Sequence, residues 1–321
     1  MDVVGIGNAL VDVLAHADDA MLNKLGLKKS SMRLITQPEG EALYKKMSTT
    51  TEMSGGSAAN TIAGVASFGG RAAYIGKIAN DPLGMAFAHD IHAQGIIFNT
   101  APHKGDLATG CCLVFVTPDG ERTMNTYLGA SNALTADDLD AGLIQSAQVV
   151  YLEGYLFDPP EAKKAFYAAA EMARAGGRTR VALTLSDLFC VGRHRADFQK
   201  LIETHVDVLF ANEAELCAQY QTERLDDAIA AARGHADILA VTRSADGAVI
   251  VTPTETVTVP AHPVTKVVDT TGAGDLFAAG FLYGLTHGKS LAECGRLGTI
   301  AAAEIISHIG ARPQTSLKAV A

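Results

Sequence analysis

DTTGAGDLFAAGFLYGLTHG, Asp269 to Gly288, joins a turn of small residues to an apolar segment. Thr270 and Thr271 lead into Gly272, Ala273 and Gly274, and Asp275 closes the turn. A turn this bare leaves successive backbone N–H groups uncovered. The segment from Leu276 to Thr286 is apolar nearly all round, which predicts a buried helix. The free N–H groups and the dipole at its start favour an anion. A transferring phosphoryl group needs such donors as charge redistributes over its oxygens. A carboxylate at the same place would repel a phosphate that was merely bound. It suits an enzyme that deprotonates a hydroxyl as that hydroxyl attacks. Asp275 thus reads as a general base or, more plainly, as a helix cap.

Outward from this turn, short β-branched runs alternate with helical patterns. DVVGIGN (2–8), AAYIGKI (72–78), VVYLEGYL (149–156), RVALTLS (180–186), VDVLFAN (206–212) and DILAVTR (237–243) read as strands. Helices are expected from Ala58 to Phe68 and over 83–95, 161–176, 195–205, 213–220 and 226–234. Continuous apolar strands separated by helices indicate a parallel sheet covered on both faces. Two regions break the rhythm. CCLVFVTPDGERTMNTYLG (111–129) is two strands around a Thr-Pro-Asp-Gly turn, an antiparallel hairpin. Val11 to about Thr51 is irregular, with one short run, SMRLIT (31–36). Together they read as a small β piece standing off the main sheet, either a lid or a plain decoration. GAVIVTPTETVTVP (247–260) is a second hairpin. The expected division is a large α/β domain from 1–10, 52–97 and 131–321, and a small β lid from 11–51 and 98–130. No internal repeat is visible.

Composition narrows the partners. The formal charge of −9 argues against nucleic acid or an anionic membrane surface. A nucleotide remains accessible to a local site built from backbone dipoles. The five cysteines have no metal or disulfide spacing and read as buried free thiols of a reducing cytoplasm. No signal peptide or bilayer-length apolar run is expected.

Two motifs mislead. GIGNAL (5–10) carries a GxG after a strand, but the third glycine of a dinucleotide fingerprint would fall at Leu10. GLTHGKS (284–290) has three residues between its glycines where a P-loop needs four, and it follows a helix. It reads as a helix end at Gly288. The histidines are scattered, and none has metal-ligand spacing.

DTTGAGD, together with SGGSAAN (54–60) and NEAE (212–215), resembles the ribokinase, or PfkB, family of carbohydrate and nucleoside kinases. The likeness runs from Val3 to about Pro313. GIGNALVD (5–12), GGSAAN (55–60) and AEIISHIGA (303–311) are most similar to the adenosine kinases of that family. The resemblance implies a ribokinase-like, doubly wound, mostly parallel sheet flanked by helices, with a small β-sheet lid. It implies ATP-dependent phosphorylation of the 5′-hydroxyl of adenosine to AMP. The alternative is a sugar kinase acting on ribose, fructose or a related carbohydrate.

The resemblance also assigns roles. Asp275 would be the base, and Gly272, Ala273 and Gly274 the anion hole. Asp12 would accept hydrogen bonds from both hydroxyls of a vicinal diol; a turn residue is its plainer reading. Gly55 and Gly56 would admit the sugar close to the backbone, Asn60 would bond to it, and Asn8 would line the pocket. Asn212 and Glu215 would organise the water shell of Mg²⁺, although on residue type alone they form a capping box. Thr242, Ser244 and Gly247 match a nucleotide-phosphate loop or a simple turn, and His308 is placed with the nucleotide. Main-chain groups of Asp269, Thr271 and Gly310 would take K⁺. Arg122 is either a phosphate ligand or a solvated strand residue. Leu128, Phe157 and Phe115 are the candidates for facing the base. The expected partner is a small nucleoside or sugar, and the chain a monomer or homodimer.

Overall fold

The computed structural model describes all residues, 1–321. Thirteen strands form two sheets. In chain order they are β1 (Val3–Ile6), β2 (Leu10–His16), β3 (Met32–Leu34), β4 (Thr51–Gly55), β5 (Ala72–Ile75), β6 (Gly110–Val116) and β7 (Arg122–Tyr127). β8 (Val149–Glu153), β9 (Arg180–Thr184), β10 (Val208–Asn212), β11 (Ile238–Thr242), β12 (Ala248–Val251) and β13 (Thr256–Val259) follow.

The larger sheet has the order β13-β12-β11-β10-β9-β8-β1-β5. Its strands from β5 to β11 pair in parallel, and the terminal β12–β13 hairpin runs antiparallel. Period-2 alternation sends neighbours in one strand to opposite faces. Val3 and Tyr151 join one core, while Val4 and Leu152 join the other. The first core is closed by helices Ser57–Ser67, Pro82–Ala93, Ala273–Thr286 and Leu291–Ile305. The second is closed by helices Pro160–Ala175, Leu188–His205 and Glu213–Tyr220. The cores hold 37 and 35 buried residues, so neither face of this sheet is left to solvent. That is why its strands read as unbroken apolar runs and not as alternating ones.

The smaller sheet has the order β3-β7-β6-β2-β4. One face packs Val13, Leu113 and Phe115 against two short helices, Asp19–Lys24 and Gln37–Tyr44, through Leu22 and Leu43. The segment read as irregular is therefore built, with three strands and two helices between Leu10 and Gly55. Its strands pair mostly with the distant β6 and β7, so local sequence carries little trace of them. Helix Leu188–His205 also starts well before the expected Arg195. Asp187 caps it by accepting from the Cys190 N–H at 2.6 Å, and buried Cys190 and Val191 hold the added turns.

Parallel strands put their carboxyl ends on one edge, and a crevice opens there. Asn8, Glu153, Thr184, Asn212 and Thr242 all stand on that edge. No helix is long and apolar enough to cross a membrane.

Candidate active site

The crevice is a cleft of about 960 Å³ between the two sheets. Its wall includes Asn8, Asp12, Gly56, Asn60, Asn212, Glu215, Thr242, Ser244 and Gly247, together with the whole run from Thr270 to Asp275. Residues far apart in sequence thus share one cavity.

Gly272 begins the Ala273–Thr286 helix in a left-handed conformation, φ 80°, which a side chain would strain. Asp275 lies in the first turn. Its Oδ1 accepts from the Ser57 hydroxyl at 2.6 Å, and its Oδ2 from Asn60 Nδ2 at 3.0 Å. The Thr61 hydroxyl donates to the Asp275 carbonyl at 3.1 Å. The Ser57–Ser67 helix therefore aims the carboxylate. Burial raises the Asp275 carboxyl above its ordinary range; the Ser57 and Asn60 donors and the charge of Arg312 oppose the rise.

Helix Ser57–Ser67 is fixed in turn by Glu153, at the end of β8. The buried Glu153 Oε2 accepts from the Ala58 N–H at 2.7 Å. Its Oε1 accepts from the Asn8 N–H at 3.1 Å and from Asn8 Nδ2 at 2.7 Å. Burial pushes its carboxyl up to about 7 despite these donors. Gly56 enters the helix at φ 90°, and a Cβ there would stand 2.1 Å from the Asn8 carbonyl oxygen. Gly56→Ala is expected to cost more than about 2 kcal/mol of stability. Urea unfolding measures it; a midpoint equal to that of the native chain would contradict the assignment.

Asp12, on β2, faces the same cleft. Burial pushes its carboxyl up to about 6, against the pull of Arg122 and Arg312. Arg122 is neither solvated nor aimed at open space. It is buried and ion-paired with Asp269. Asp269 also ties down the turn: its Oδ1 accepts from Thr271 N–H and its Oδ2 from Gly310 N–H, each at 3.0 Å. The three residues named for K⁺ are thus brought together beside the 272–274 turn.

Asn212 and Glu215 form a reciprocal capping box. Asn212 Oδ1 accepts from the Glu215 N–H at 2.8 Å. Glu215 accepts from the Asn212 N–H at 2.9 Å and from its Nδ2 at 2.6 Å. The plainer reading of this pair is therefore present. The carboxylate still borders the cleft, and burial pushes it up to about 7. No group of three His, Cys, Asp or Glu side chains could hold a metal unaided. A hard cation here would need waters or phosphate oxygens as further ligands. Asp12, Glu153, Glu215 and Asp275 all line the cleft, Glu153 and Glu215 buried and Asp12 and Asp275 half-buried.

Some sequence-assigned residues stand elsewhere. His308 is outside the cleft wall; its Nε2 lies 3.2 Å from Glu304 Oε1, one helical turn back. Gly55 sits behind Asp12 and does not line the cavity. Leu128 lines it, whereas Phe115 and Phe157 are fully buried in the cores. Ser57, Glu153 and Arg312 escaped the sequence reading. Ser57 lies inside SGGSAAN, so its adjacency to Asn60 was the available signal. Glu153 had a different one, a lone carboxylate inside an apolar strand run.

A family model described as pfkB family carbohydrate kinase matches residues 20–318. The chain belongs to that family. Among solved structures, this pfkB-family chain superimposes on the adenosine kinase from Sinorhizobium meliloti with a TM-score of 0.93. The two are 50% identical, with 99% of this chain and 97% of that one covered. A probable sugar kinase from Rhizobium etli CFN 42 also gives 0.93, at 48% identity over 99% of this chain and 96% of the other. Among curated relatives, the adenosine kinase of Saccharomyces cerevisiae is 28% identical over 96% of this chain and 95% of its own length. The pfkB-family fold is thus the ribokinase-like α/β sheet with a smaller β-sheet, and the family's chemistry is phosphoryl transfer to an alcohol.

Proposed function

We propose that this chain is an adenosine kinase, transferring the γ-phosphoryl group of ATP to the 5′-hydroxyl of adenosine. The observation that carries the reading is the Asp275 carboxylate. It closes a bare glycine turn and faces the cleft that also holds Asp12. Two similar proteins named adenosine kinase, one of them 50% identical, support the choice of nucleoside.

In this reading Asp12 holds the ribose 2′- and 3′-hydroxyls, with Asn8 and Asn60 beside them. Ser57 and Asn60 keep Asp275 turned toward the 5′-oxygen. Asp275 takes the hydroxyl proton as O5′ forms its bond to the γ-phosphorus, and the bond from that phosphorus to the β–γ bridging oxygen breaks. ADP leaves, and AMP carries the new ester. The N–H groups of 272–274 donate to the phosphoryl oxygens, where charge is redistributing. Arg122 stays paired with Asp269 and steadies the approach to this turn. Thr242, Ser244 and Gly247 border the nucleotide phosphates. Mg²⁺ held near Glu215 through water would neutralise phosphate charge when bound, and K⁺ would sit on main-chain oxygens around Asp269, Thr271 and Gly310. The smaller sheet, with Leu10 and Met124 on its cleft side and Leu128 just past β7, covers the nucleoside and keeps water from the phosphoryl group.

The deciding experiment follows ADP release with adenosine, other nucleosides, and free ribose and fructose. Adenosine is expected to exceed every sugar by at least about 10²-fold in kcat/KM, because a buried polar site rejects partners that leave its groups unpaired. Faster turnover of a free sugar would replace this reading with the sugar-kinase one. Chelation of Mg²⁺ by EDTA is expected to abolish turnover and Mg²⁺ to restore it; turnover that persists in EDTA would remove the metal from the scheme.

A further inference from the structure

Three consecutive residues after the Leu291–Ile305 helix touch three different parts of the site. Gly310 donates its N–H to Asp269. Ala311 packs on Gly272, where an added Cβ would lie 3.1 Å from the Ala311 Cβ. Arg312 reaches the other side of the cleft. Its Nε donates to the Ser54 carbonyl at 3.1 Å, and its Nη2 approaches the Gly55 carbonyl at 3.5 Å. Nη1 is buried with no protein partner.

Ser54 and Gly55 end β4 of the smaller sheet, and Ser57 opens the helix that aims Asp275. Only Gly56 separates them. This short stretch is gripped from several sides. The Ser54 hydroxyl donates to Asp90 Oδ2 at 2.8 Å, and the Gly56 carbonyl accepts from Asn60 N–H at 2.8 Å. Gly55 also backs directly onto Asp12: a Cβ there would come within 2.8 to 2.9 Å of the Asp12 carboxyl atoms. A shift of the 54–56 backbone would therefore displace the diol-binding carboxylate and the catalytic helix together. A fork of donors matches two successive carbonyls in a way a single ammonium cannot.

We propose that Arg312 is a positioning residue that clamps the Ser54–Gly56 stretch, holding Asp12 and the Ser57–Ser67 helix in register with the 272–274 turn. The inference rests on the proposed function for its kinetic consequence, but not for its structural one.

The test compares Arg312→Gln and Arg312→Lys with the native chain by two readouts. Amide hydrogen exchange over 51–60 needs no substrate. It is expected to quicken by about 10-fold or more in Arg312→Gln, as charge-assisted bonds to the carbonyls are lost. In steady-state kinetics, KM for adenosine is expected to rise about 10-fold and kcat to fall, because both Asp12 and the helix that aims Asp275 lose their register, while KM for ATP stays within about 2-fold. Arg312→Lys should fall between, because it keeps the charge and one donor. If Arg312→Gln fails to fold, the lysine variant decides by the same two measurements. Unchanged exchange at 51–60 with an unchanged adenosine KM would overturn the clamp, as would equal rises in both KM values. A native chain that ignores adenosine would instead strike the functional reading and leave the exchange result to judge Arg312.

Discussion

Replacing Asp275 by Asn is expected to lower kcat by about 10² to 10⁴-fold, the usual worth of a positioned general base, while ATP binding changes by less than about 2-fold. The substitution preserves shape. The Ser57 hydroxyl can still donate to the remaining oxygen. The new amide would face Asn60 Nδ2, but Asn60 can turn its own amide, whose Oδ1 has no partner in the native arrangement. Loss of turnover would thus report lost basicity and not a lost fold. Direct ATP titration and thermal unfolding check both points. In the native chain a base at this position would set the acidic limb of the kcat profile. Its carboxyl is raised by burial, so activity should fade on acidification above the range where an ordinary aspartate protonates. Turnover near the native level in Asp275→Asn would remove the base assignment.

Asp12→Ala should act on binding more than on the chemical step. Two hydrogen bonds to a charged acceptor would be lost, each worth roughly 1.5–3 kcal/mol, so kcat/KM for adenosine should drop by about 10³-fold, mainly through KM. 2′-Deoxyadenosine supplies the control. The native enzyme should discriminate against it, and the alanine variant should discriminate far less, because the hydroxyl has already lost its acceptor. Since the Asp12 carboxyl is pushed up to about 6, adenosine KM should also climb as pH falls through about 6. A variant with native KM and native preference for the 2′-hydroxyl would take Asp12 out of the sugar site.

The larger sheet was legible because its strands are buried on both faces, and β1, β5 and β8–β11 all appear as apolar runs. Hairpins β6–β7 and β12–β13 were legible from their turns. β2 and β3 were not. Asp12 interrupts the apolar pattern of LVDVLAH, and all three residues of β3 are exposed. Both depend on partners far along the chain. In the candidate site, backbone devices left a trace: glycines mark the turns, and Asp275 follows one of them. The side chains that orient those devices left much less. Glu153 shows only as a lone carboxylate in an apolar run, and Arg312 as any polar residue in a tail. Only the fold brings the first under the Ser57–Ser67 helix and the second to the Ser54 carbonyl. His308 shows the converse. A tail motif suggested a ligand, and the helix end turned it onto Glu304.

In the smaller sheet, the two excursions interleave: β3 pairs only with β7, and β2 lies between β4 and β6. Neither excursion is a folding unit by itself. On a ribosome, the first could pair β2 with β4, but β3 and the other edge of β2 would wait for the second, while β1 and β5 could not yet reach β8. Such delayed, non-local pairing is slow. Excising either excursion would strip the other of its neighbours, so the cover over the cleft is inherited whole or not at all.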